Sequence, residues 1–135
     1  MKTLLRLEEL AQFLACLLLL VMNAVPWWAY LLLLLGPDFG MLGYLVNTRV
    51  GAITYNLFHH KGIALLVAAL ALGSDLLNLA LATPGLGHGL LLTAIILFGH
   101  SSMDRALGYG LKFGDHFQHT HLGWIGKGKG QEQAQ

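Results

Sequence analysis

The stretch "ILFGHSSMDRALGYG", residues 96–110, places ionisable side chains at the end of a long apolar run. His100, Asp104 and Arg105 follow residues that would suit the interior of a lipid bilayer. An ionisable side chain inside a bilayer is costly unless it faces a partner or water, and such residues usually mark a functional site. His100 and Asp104 are four residues apart, so they share one face of a helix. The stretch therefore predicts a membrane-crossing helix that carries a polar site.

Composition points to the same class of protein. Of the 135 residues, 56% are hydrophobic and only 11% are charged, and the length allows a single domain over residues 1–135. The runs "LACLLLLVMNAV" (14–25) and "YLLLLLG" (30–36) are apolar on every side, as lipid-facing helices are. The net charge of +1, with no basic stripe, predicts no nucleic-acid partner. We therefore predict an all-α integral membrane protein.

The apolar runs divide into four predicted transmembrane helices and a polar C-terminal tail. The predicted bounds are about 8–24, 27–46, 50–73 and 88–111 for the helices and 112–135 for the tail. "GPD" at 36–38 is expected to interrupt the second helix, because proline cannot continue it. Residues 74–87 are predicted to form a loop. In an alternative, the third segment breaks at Gly62 into a short helix at 48–60 and a span at 62–82.

The positions of lysine and arginine predict the orientation. The outer loops at 25–26 and 74–87 contain neither residue type. The basic residues outside the spans all fall on the other side: Lys2, Arg6, Arg49, Lys112, Lys127 and Lys129. Because basic residues concentrate on the cytoplasmic side, we predict that both termini are cytoplasmic.

Five ionisable residues fall at one predicted depth. At a rise of about 1.5 Å per helical residue, they lie between the membrane midplane and the cytoplasmic face. These residues are Asp38, His59, His60, His100 and Asp104. We expect them to face one another, because buried charges require partners. Adjacent histidines diverge by about 100° on a helix, so at most one of His59 and His60 can be a ligand.

Histidine and aspartate in one layer favour a metal site. Neutral imidazole nitrogen and carboxylate oxygen suit zinc, iron and manganese. We therefore predict a divalent metal held by Asp38, His59 or His60, His100 and Asp104, with zinc first and iron or manganese as alternatives. Such an ion would make a bound water nucleophilic at neutral pH.

Further residues could complete a catalytic site. Arg105 and Lys61 are candidates to hold an anionic group such as phosphate. His119 and His121, in the tail, are candidates for a further ligand or a general base. The predicted function is a metal-dependent membrane hydrolase that acts on a lipid or a lipid-linked phosphate at the cytoplasmic side, with membrane lipids as its partners.

Other functions fit the same residues. A proton or ion conduit could use them as a relay, and an accessory subunit could use them only to fix helix packing. A di-iron oxidative site would be expected to have repeated paired-histidine motifs, which this chain lacks. Bis-histidine haem would need a wider pocket than four short spans provide. The sequence does not decide whether the chain is an enzyme or whether it is an oligomer.

Four segments resemble the motif blocks of a family of small bacterial integral membrane proteins, domain of unknown function 4260. They are "PDFGMLGYLVN" (37–47), "GAITYNLFHHKGIA" (51–64), "HSSMDRALGYGLKF" (100–113) and "HTHLGWIGK" (119–127). The resemblance extends from about Leu4 to Lys127 and implies a helical protein of the bacterial cytoplasmic membrane, with no established activity. More loosely, "PD" followed by histidine-rich helices is similar to the inner-membrane metal-dependent hydrolases.

Overall fold

The computed structural model describes the backbone of residues 1–81 and 85–126 and the side chains of residues 1–76 and 85–126. The chain is mostly helical, as predicted. Its helices are α1 (Lys2–Met22), α2 (Trp27–Leu35), a 3₁₀ helix (Pro37–Leu45), α3 (Thr48–His59), α4 (Lys61–Leu81) and α5 (Leu86–Leu107). A small antiparallel hairpin follows, formed by β1 (His119–Thr120) and β2 (Gly123–Trp124).

Helix α5 is the centre of the fold, because α1 and α4 pack along it and α2 and α3 also contact it. The buried core consists of Cys16, Leu20, Leu33 and Ile95, from three of these helices. Gly99 lets α5 approach closely, since a Cβ at that position would lie 2.8 Å from atoms of Cys16 and Leu33. This close packing holds the following residue, His100, completely buried.

Helix length and composition support part of the membrane prediction. Within the part of the chain that the structure describes, only α5 is a single helix long and apolar enough to cross a membrane. Two bent pairs of helices raise the number to three if each pair forms one span. Arg6, Glu8 and Glu9 lie in the first half of α1, which shortens its apolar part below the roughly 20 residues that a crossing needs. A four-span bundle is therefore not confirmed.

The predicted interruption of the second segment is confirmed. Helix α2 ends at Leu35, and the chain continues from Pro37 as a 3₁₀ helix whose direction differs from that of α2 by 45°. The 3₁₀ helix packs tightly on α3, because a Cβ on Gly43 would collide with the Thr54 hydroxyl. That hydroxyl also donates a hydrogen bond of 2.6 Å to the carbonyl oxygen of Gly40. This packing fixes Asp38, at the start of the 3₁₀ helix, beside α3.

The prediction of one continuous third helix over 50–73 is wrong. The chain breaks at His60, whose backbone is extended, and α3 and the first part of α4 meet at 48°. The alternative with a helix at 48–60 and a second at 62–82 describes the chain better. The His60 ring stabilises the break locally, because its Nδ1 accepts a hydrogen bond of 3.0 Å from the Gly62 amide.

The predicted loop at 74–87 is also wrong for most of its length. Helix α4 continues to Leu81, and Ser74, the first polar residue of this segment, is accommodated because its hydroxyl donates to the Ala71 carbonyl inside the helix. Helix α5 begins at Leu86, two residues before the predicted start, and ends at Leu107 instead of 111. Gly108 causes that end, since its φ of 97° is the left-handed conformation that terminates helices.

Some of the predicted features lie outside the described residues. They are 82–84 of the predicted loop and the part of the tail from 127 to 135, which includes Lys127 and Lys129.

Candidate metal centre

Four of the five predicted ligands converge. Asp38 comes from the 3₁₀ helix, His59 from the last turn of α3, and His100 and Asp104 from successive turns of α5. One ligand atom from each residue lies within 4.8 Å of the ligand atoms of the other three. We call Asp38, His59, His100 and Asp104 the His/Asp cluster. The convergence expected from sequence is therefore present.

Hydrogen bonds to backbone carbonyls determine which nitrogen of each histidine ring carries the proton. Nδ1 of His59 is 2.8 Å from the Tyr55 carbonyl oxygen, and Nδ1 of His100 is 2.9 Å from the Leu33 carbonyl oxygen. A carbonyl oxygen can only accept, so each Nδ1 must carry the donated proton. In a neutral ring Nε2 then presents a lone pair. Metal-binding histidines commonly have this arrangement, with the other ring nitrogen donating to a carbonyl or a carboxylate.

The two Nε2 atoms point at each other. They are only 3.1 Å apart, and His59 and His100 are 3% and 0% exposed. If both rings were neutral with nothing between them, two buried acceptors would lack donors, at a cost of about 1–3 kcal/mol each. A proton on one ring, a protonated carboxyl group or a metal ion would each satisfy these lone pairs.

Two carboxylates complete the cluster. Asp38 Oδ1 lies 3.5 Å from Nε2 of each histidine, and Asp104 Oδ2 lies 3.4 Å from Nε2 of His59. Asp104 Oδ1 is 3.9 Å from Nε2 of His100. With metal–ligand bonds of about 2.0–2.1 Å, the ligand atoms of a tetrahedral zinc ion are roughly 3.3 Å apart. The separation between the two Nε2 atoms and the distances from Asp38 to each ring, 3.1–3.5 Å, lie near this value, whereas Asp104 is farther from His100.

The cluster has an uneven exposure. Asp104 is 13% exposed, whereas Asp38 is 35% exposed and opens on a groove of about 380 Å³. The other residues that line this groove are apolar: Leu35, Phe39, Met41, Leu42 and Leu45. The accessible side of the cluster is therefore reached past hydrocarbon side chains.

The fifth predicted ligand, His60, is not part of the cluster. The chain direction changes at this residue, and the exposed ring forms the local hydrogen bond to Gly62 instead. Lys61, predicted to hold an anion, turns away from the cluster and forms an ion pair with Glu9 and a hydrogen bond to Gln12. The ion pair supplies the partner that a lysine at this predicted depth requires.

Arg105 and the tail histidines, the remaining predicted catalytic residues, also lie outside the cluster. Arg105 reaches the His59 carbonyl oxygen at a long 3.5 Å. His119 pairs with Asp115 at 2.7 Å and stacks on Trp124. His121 accepts a hydrogen bond of 2.8 Å from the Leu111 amide. Arg105 contacts the backbone of a cluster residue, whereas both tail rings are bound within the tail itself.

Sequence reasoning missed Tyr55 as a residue of the site. Its hydroxyl donates a hydrogen bond of 2.6 Å to Asp104 Oδ2, and its ring stacks on His59 at 3.7 Å. Tyr55 therefore orients both a carboxylate and an imidazole of the cluster. Its position one helical turn before His59 is the signal that could have identified it.

Sequence reasoning treated Lys112 only as a topology signal, but it lies beside the cluster. The side chain is 5% exposed, and its Nζ lies between the rings of Tyr55 and Phe117, at 5.1 and 4.2 Å from their centres. Two hydrogen bonds between the Lys112 backbone and the Asn56 side chain anchor it. Burial lowers the pKa of Lys112, and the carboxylates of Asp104 and Asp38 partly oppose this shift. No sequence pattern indicated this contact.

Comparisons with known proteins identify a family but no activity. No curated protein and no solved structure matches the chain. A family model described as "Domain of unknown function (DUF4260)" matches residues 2–125, a range that contains the whole His/Asp cluster and the hairpin. By this match over nearly its full length, the chain belongs to the DUF4260 family.

Proposed function

We propose that the His/Asp cluster binds one divalent metal ion and that the protein is a membrane hydrolase acting on a lipid or a lipid-linked phosphate. The observation that carries this proposal is the head-to-head approach of the two Nε2 atoms at 3.1 Å, with each Nδ1 donating to a carbonyl. Both rings are held in the tautomer that a metal ligand needs before any ion binds.

The number of groups to be satisfied favours a metal over a single proton. One divalent ion takes the Nε2 lone pairs of both rings and an oxygen of both carboxylates. One proton between the rings satisfies both nitrogens but supplies nothing to the carboxylates. Protonating both rings would set two N–H donors against each other at 3.1 Å. A divalent ion therefore satisfies all four residues at once.

The exposure of Asp38 supports an open coordination position. Four protein ligands saturate a tetrahedral zinc ion, whereas catalytic sites keep one position for water or substrate. Asp38 is the most accessible of the four ligands and lines the apolar groove. Either Asp38 yields to water on a zinc ion, or iron or manganese binds with a higher coordination number. In both cases the open position faces the groove.

The groove supports a lipid substrate. Its walls are leucine, phenylalanine and methionine side chains, which suit acyl or prenyl chains rather than a sugar or a peptide.

A divalent ion lowers the pKa of a bound water and so supplies a nucleophile at neutral pH. With such an ion held by the His/Asp cluster, hydrolysis would join a water oxygen to phosphorus, break the phosphorus–oxygen ester bond and leave a proton on the departing alcohol oxygen. Lys112, a buried cation beside the cluster, can stabilise negative charge on the phosphoryl oxygens.

The membrane arrangement belongs to the same proposal. Four crossings would result if α1, which is 21 residues long, crosses with its charged residues at the cytoplasmic end. The other three would be the bent pair of α2 and the 3₁₀ helix, the bent pair of α3 and α4, and α5, with both termini cytoplasmic. The distribution of lysine and arginine supports this orientation. The cluster would then lie on the cytoplasmic side of the midplane, at a depth that a lipid headgroup can approach from the bilayer.

A proton relay is the second candidate function, because the close His59–His100 contact also favours it. One proton on a ring and another on a carboxyl would balance the charge of the cluster without a metal. A chain of ionisable groups buried in a membrane is typical of proton pathways. Metal content separates the two functions.

The experiment compares wild-type protein with Asp104→Asn and with Asp115→Asn as the matched control in the tail. Each protein is purified in mild detergent, stripped with a chelator and titrated with zinc, manganese and ferrous iron. We expect one ion per wild-type chain and an affinity about 10–100-fold or more lower for Asp104→Asn. Asp115→Asn should bind metal as the wild type does. Release of phosphate from phosphatidic acid in mixed micelles should require the same ion and be lost in Asp104→Asn.

Two results would contradict the proposal. Equal metal affinity in all three folded proteins would show that the cluster is not the metal site. Absence of bound metal, together with pH-dependent proton flux through liposomes that Asp104→Asn abolishes, would assign the cluster to a relay.

A further inference from the structure

A second polar pocket lies away from the His/Asp cluster, where the first turns of α1 meet the end of α5 and the tail. Its volume is about 240 Å³. Lys2, Arg6, Arg105 and His121 line it, and Leu5 and Leu122 form part of its apolar wall. We call Lys2, Arg6, Arg105 and His121 the basic pocket. Lys2 and Arg6 are four residues apart and therefore lie on the same face of α1.

The positive charge of the basic pocket is unbalanced. Glu9 is the one carboxylate that lines it, and that carboxylate forms an ion pair with Lys61. Among the side chains of residues 1–76 and 85–126, no carboxylate forms an ion pair with Lys2, Arg6 or Arg105. The pocket thus brings three cations together without a matching anion.

The end of α5 does not supply enough negative charge. The Arg6 guanidinium lies against Gly108, where its Nη2 would be 3.1 Å from an added Cβ. A helix C-terminus carries only about half a negative charge, which accounts for one nearby cation at most. Arg105 has only a long hydrogen bond to the His59 carbonyl oxygen, and among the described side chains no carboxylate pairs with it or with Lys2. An external anion is the group that would compensate them.

We propose that the basic pocket binds a phosphate-bearing anion. Arginine presents a planar fork that matches phosphate oxygens, and two arginines with one lysine suit a phosphate rather than a single carboxylate. The volume is below the usual range for whole small-molecule ligands, so it fits a phosphate group or a lipid headgroup with its chains outside. This site is separate from the proposed metal centre and does not depend on it.

The position of the pocket identifies two sources of phosphate. The charged part of α1 ends at Glu9, and the apolar part begins at Leu10. Basic pockets at this boundary on the cytoplasmic side bind anionic headgroups in membrane proteins. A soluble phosphate from the cytoplasm would meet the same side chains. The shared chemistry is the phosphate, and the experiment below distinguishes the two sources.

His121 provides a direct readout of occupancy. Burial lowers the pKa of its ring, the nearby Arg105 lowers it further, and Glu9 partly opposes the shift. A bound phosphate would screen Arg105 and the other pocket cations, Lys2 and Arg6, and would stabilise the imidazolium. Binding should therefore raise the pKa of His121, which nuclear magnetic resonance titration of the ring measures without any enzymatic assay.

The test uses metal-free full-length protein in a non-ionic detergent. The probes are inorganic phosphate and short-chain phosphatidic acid, each titrated separately. The variants are Arg6→Gln in the pocket, Arg49→Gln as an arginine outside it, and Asp38→Asn in the His/Asp cluster. We expect saturable binding that raises the pKa of His121 and that Arg6→Gln weakens roughly 10-fold or more, the loss of one charge-assisted hydrogen bond. Arg49→Gln and Asp38→Asn should bind normally.

Each outcome decides the proposal. Tighter binding of the short-chain lipid than of inorganic phosphate assigns the site to a headgroup, and equal binding assigns it to free phosphate; both support it. Absence of saturable binding to either probe, or an equal loss in Arg6→Gln and Arg49→Gln, overturns it. Normal binding by metal-free Asp38→Asn keeps this test independent of the metal proposal, and a loss of binding in that variant overturns the claim of a separate site.

Discussion

The histidines of the His/Asp cluster, which lies between the helices, and those of the tail, described at 109–126, have different surroundings. In the cluster, His59 and His100 each donate Nδ1–H to a carbonyl and direct Nε2 at a side chain from another helix. In the tail, Nδ1 of His121 accepts from a backbone amide and that of His119 pairs with Asp115, four residues earlier. The same residue type is used for long-range convergence in one region and for local structure in the other.

The difference between the two regions follows from which backbone hydrogen-bonding groups are free to contact a histidine ring. A helix satisfies its own amides, so a ring on a helix meets only carbonyls with a spare lone pair and the side chains of neighbouring helices. An irregular tail has free amides, and its rings can accept from them. A histidine in an amide-poor, buried setting therefore keeps a lone pair for a ligand, whereas a histidine in a loop uses it locally.

The largest effect is expected when one histidine in each region is exchanged for glutamine, which tests whether only the cluster histidines bind metal. His100→Gln removes a proposed ligand and should lower metal affinity by about 100-fold or more, because direct ligands matter more than the outer-shell partners whose loss costs about 10–100-fold. His119→Gln, the matched change in the tail, should leave metal affinity unchanged. Competition with a chelator of known affinity measures both.

Folding must be monitored in the same samples. His100 is fully buried, and glutamine can still donate to the Leu33 carbonyl, which favours a folded variant. If His119→Gln lost metal as strongly as His100→Gln, the tail would be part of the metal centre and the distinction between the regions would be wrong.

The sequence predicted the helical class, the break at Pro37 and the residues that meet in the cluster, because these depend on local signals. Proline stops a helix wherever it occurs, and residues four apart on α5 must share a face. The choice between His59 and His60 depended on where α3 ends. Helix α3 ends where the backbone of His60 is extended. The next residue, Lys61, pairs with Glu9 across 52 residues, a contact that no local pattern contains.

The position of Lys112 beside the cluster could not be predicted for the same reason, because it depends on contacts between residues far apart in the sequence. It lies beside the cluster because the chain reverses after Gly108 and its backbone pairs with Asn56 across 56 residues. From sequence, a lysine just after a membrane helix indicates orientation only. The helix bounds near 74–87 were mispredicted for a different reason, since polar residues suggested a loop but Ser74 satisfies its hydroxyl within α4.

A smaller effect tests whether the cluster is organised by its surroundings. Tyr55→Phe removes the hydroxyl that donates to Asp104 and should lower metal affinity by about 10–100-fold, as loss of an outer-shell partner does. The free energy of unfolding should also fall by roughly 1.5–3 kcal/mol, because the hydrogen bond is to a charged group. Metal affinity and thermal unfolding are measured on the same preparations.

Tyr44→Phe is the control for this change. The Tyr44 hydroxyl is buried without a hydrogen-bond partner among the described residues, so removing it costs no hydrogen bond and should leave metal affinity and stability equal to or above those of the wild type. A loss of stability without a loss of metal affinity in Tyr55→Phe would make Tyr55 a packing residue only.

The smallest expected effect concerns the Asp115–His119 pair in the tail. The hydrogen bond from His119 holds the pKa of the Asp115 carboxyl below its ordinary value of 3.8. A carboxyl with a lowered pKa stabilises the folded tail at pH values above its unfolded pKa, and this contribution is lost as the pH falls through the lower, folded-state pKa. Acidification through that window should therefore loosen the tail, seen as lower protection of the Gln118 and His119 amides relative to their intrinsic exchange rates at each pH. Asp115→Asn should show the looser tail at every pH and no step in this window, and salt should weaken the wild-type effect because the pair is exposed. An identical acid step in Asp115→Asn would mean that another titrating group, rather than Asp115, controls the loosening of the tail.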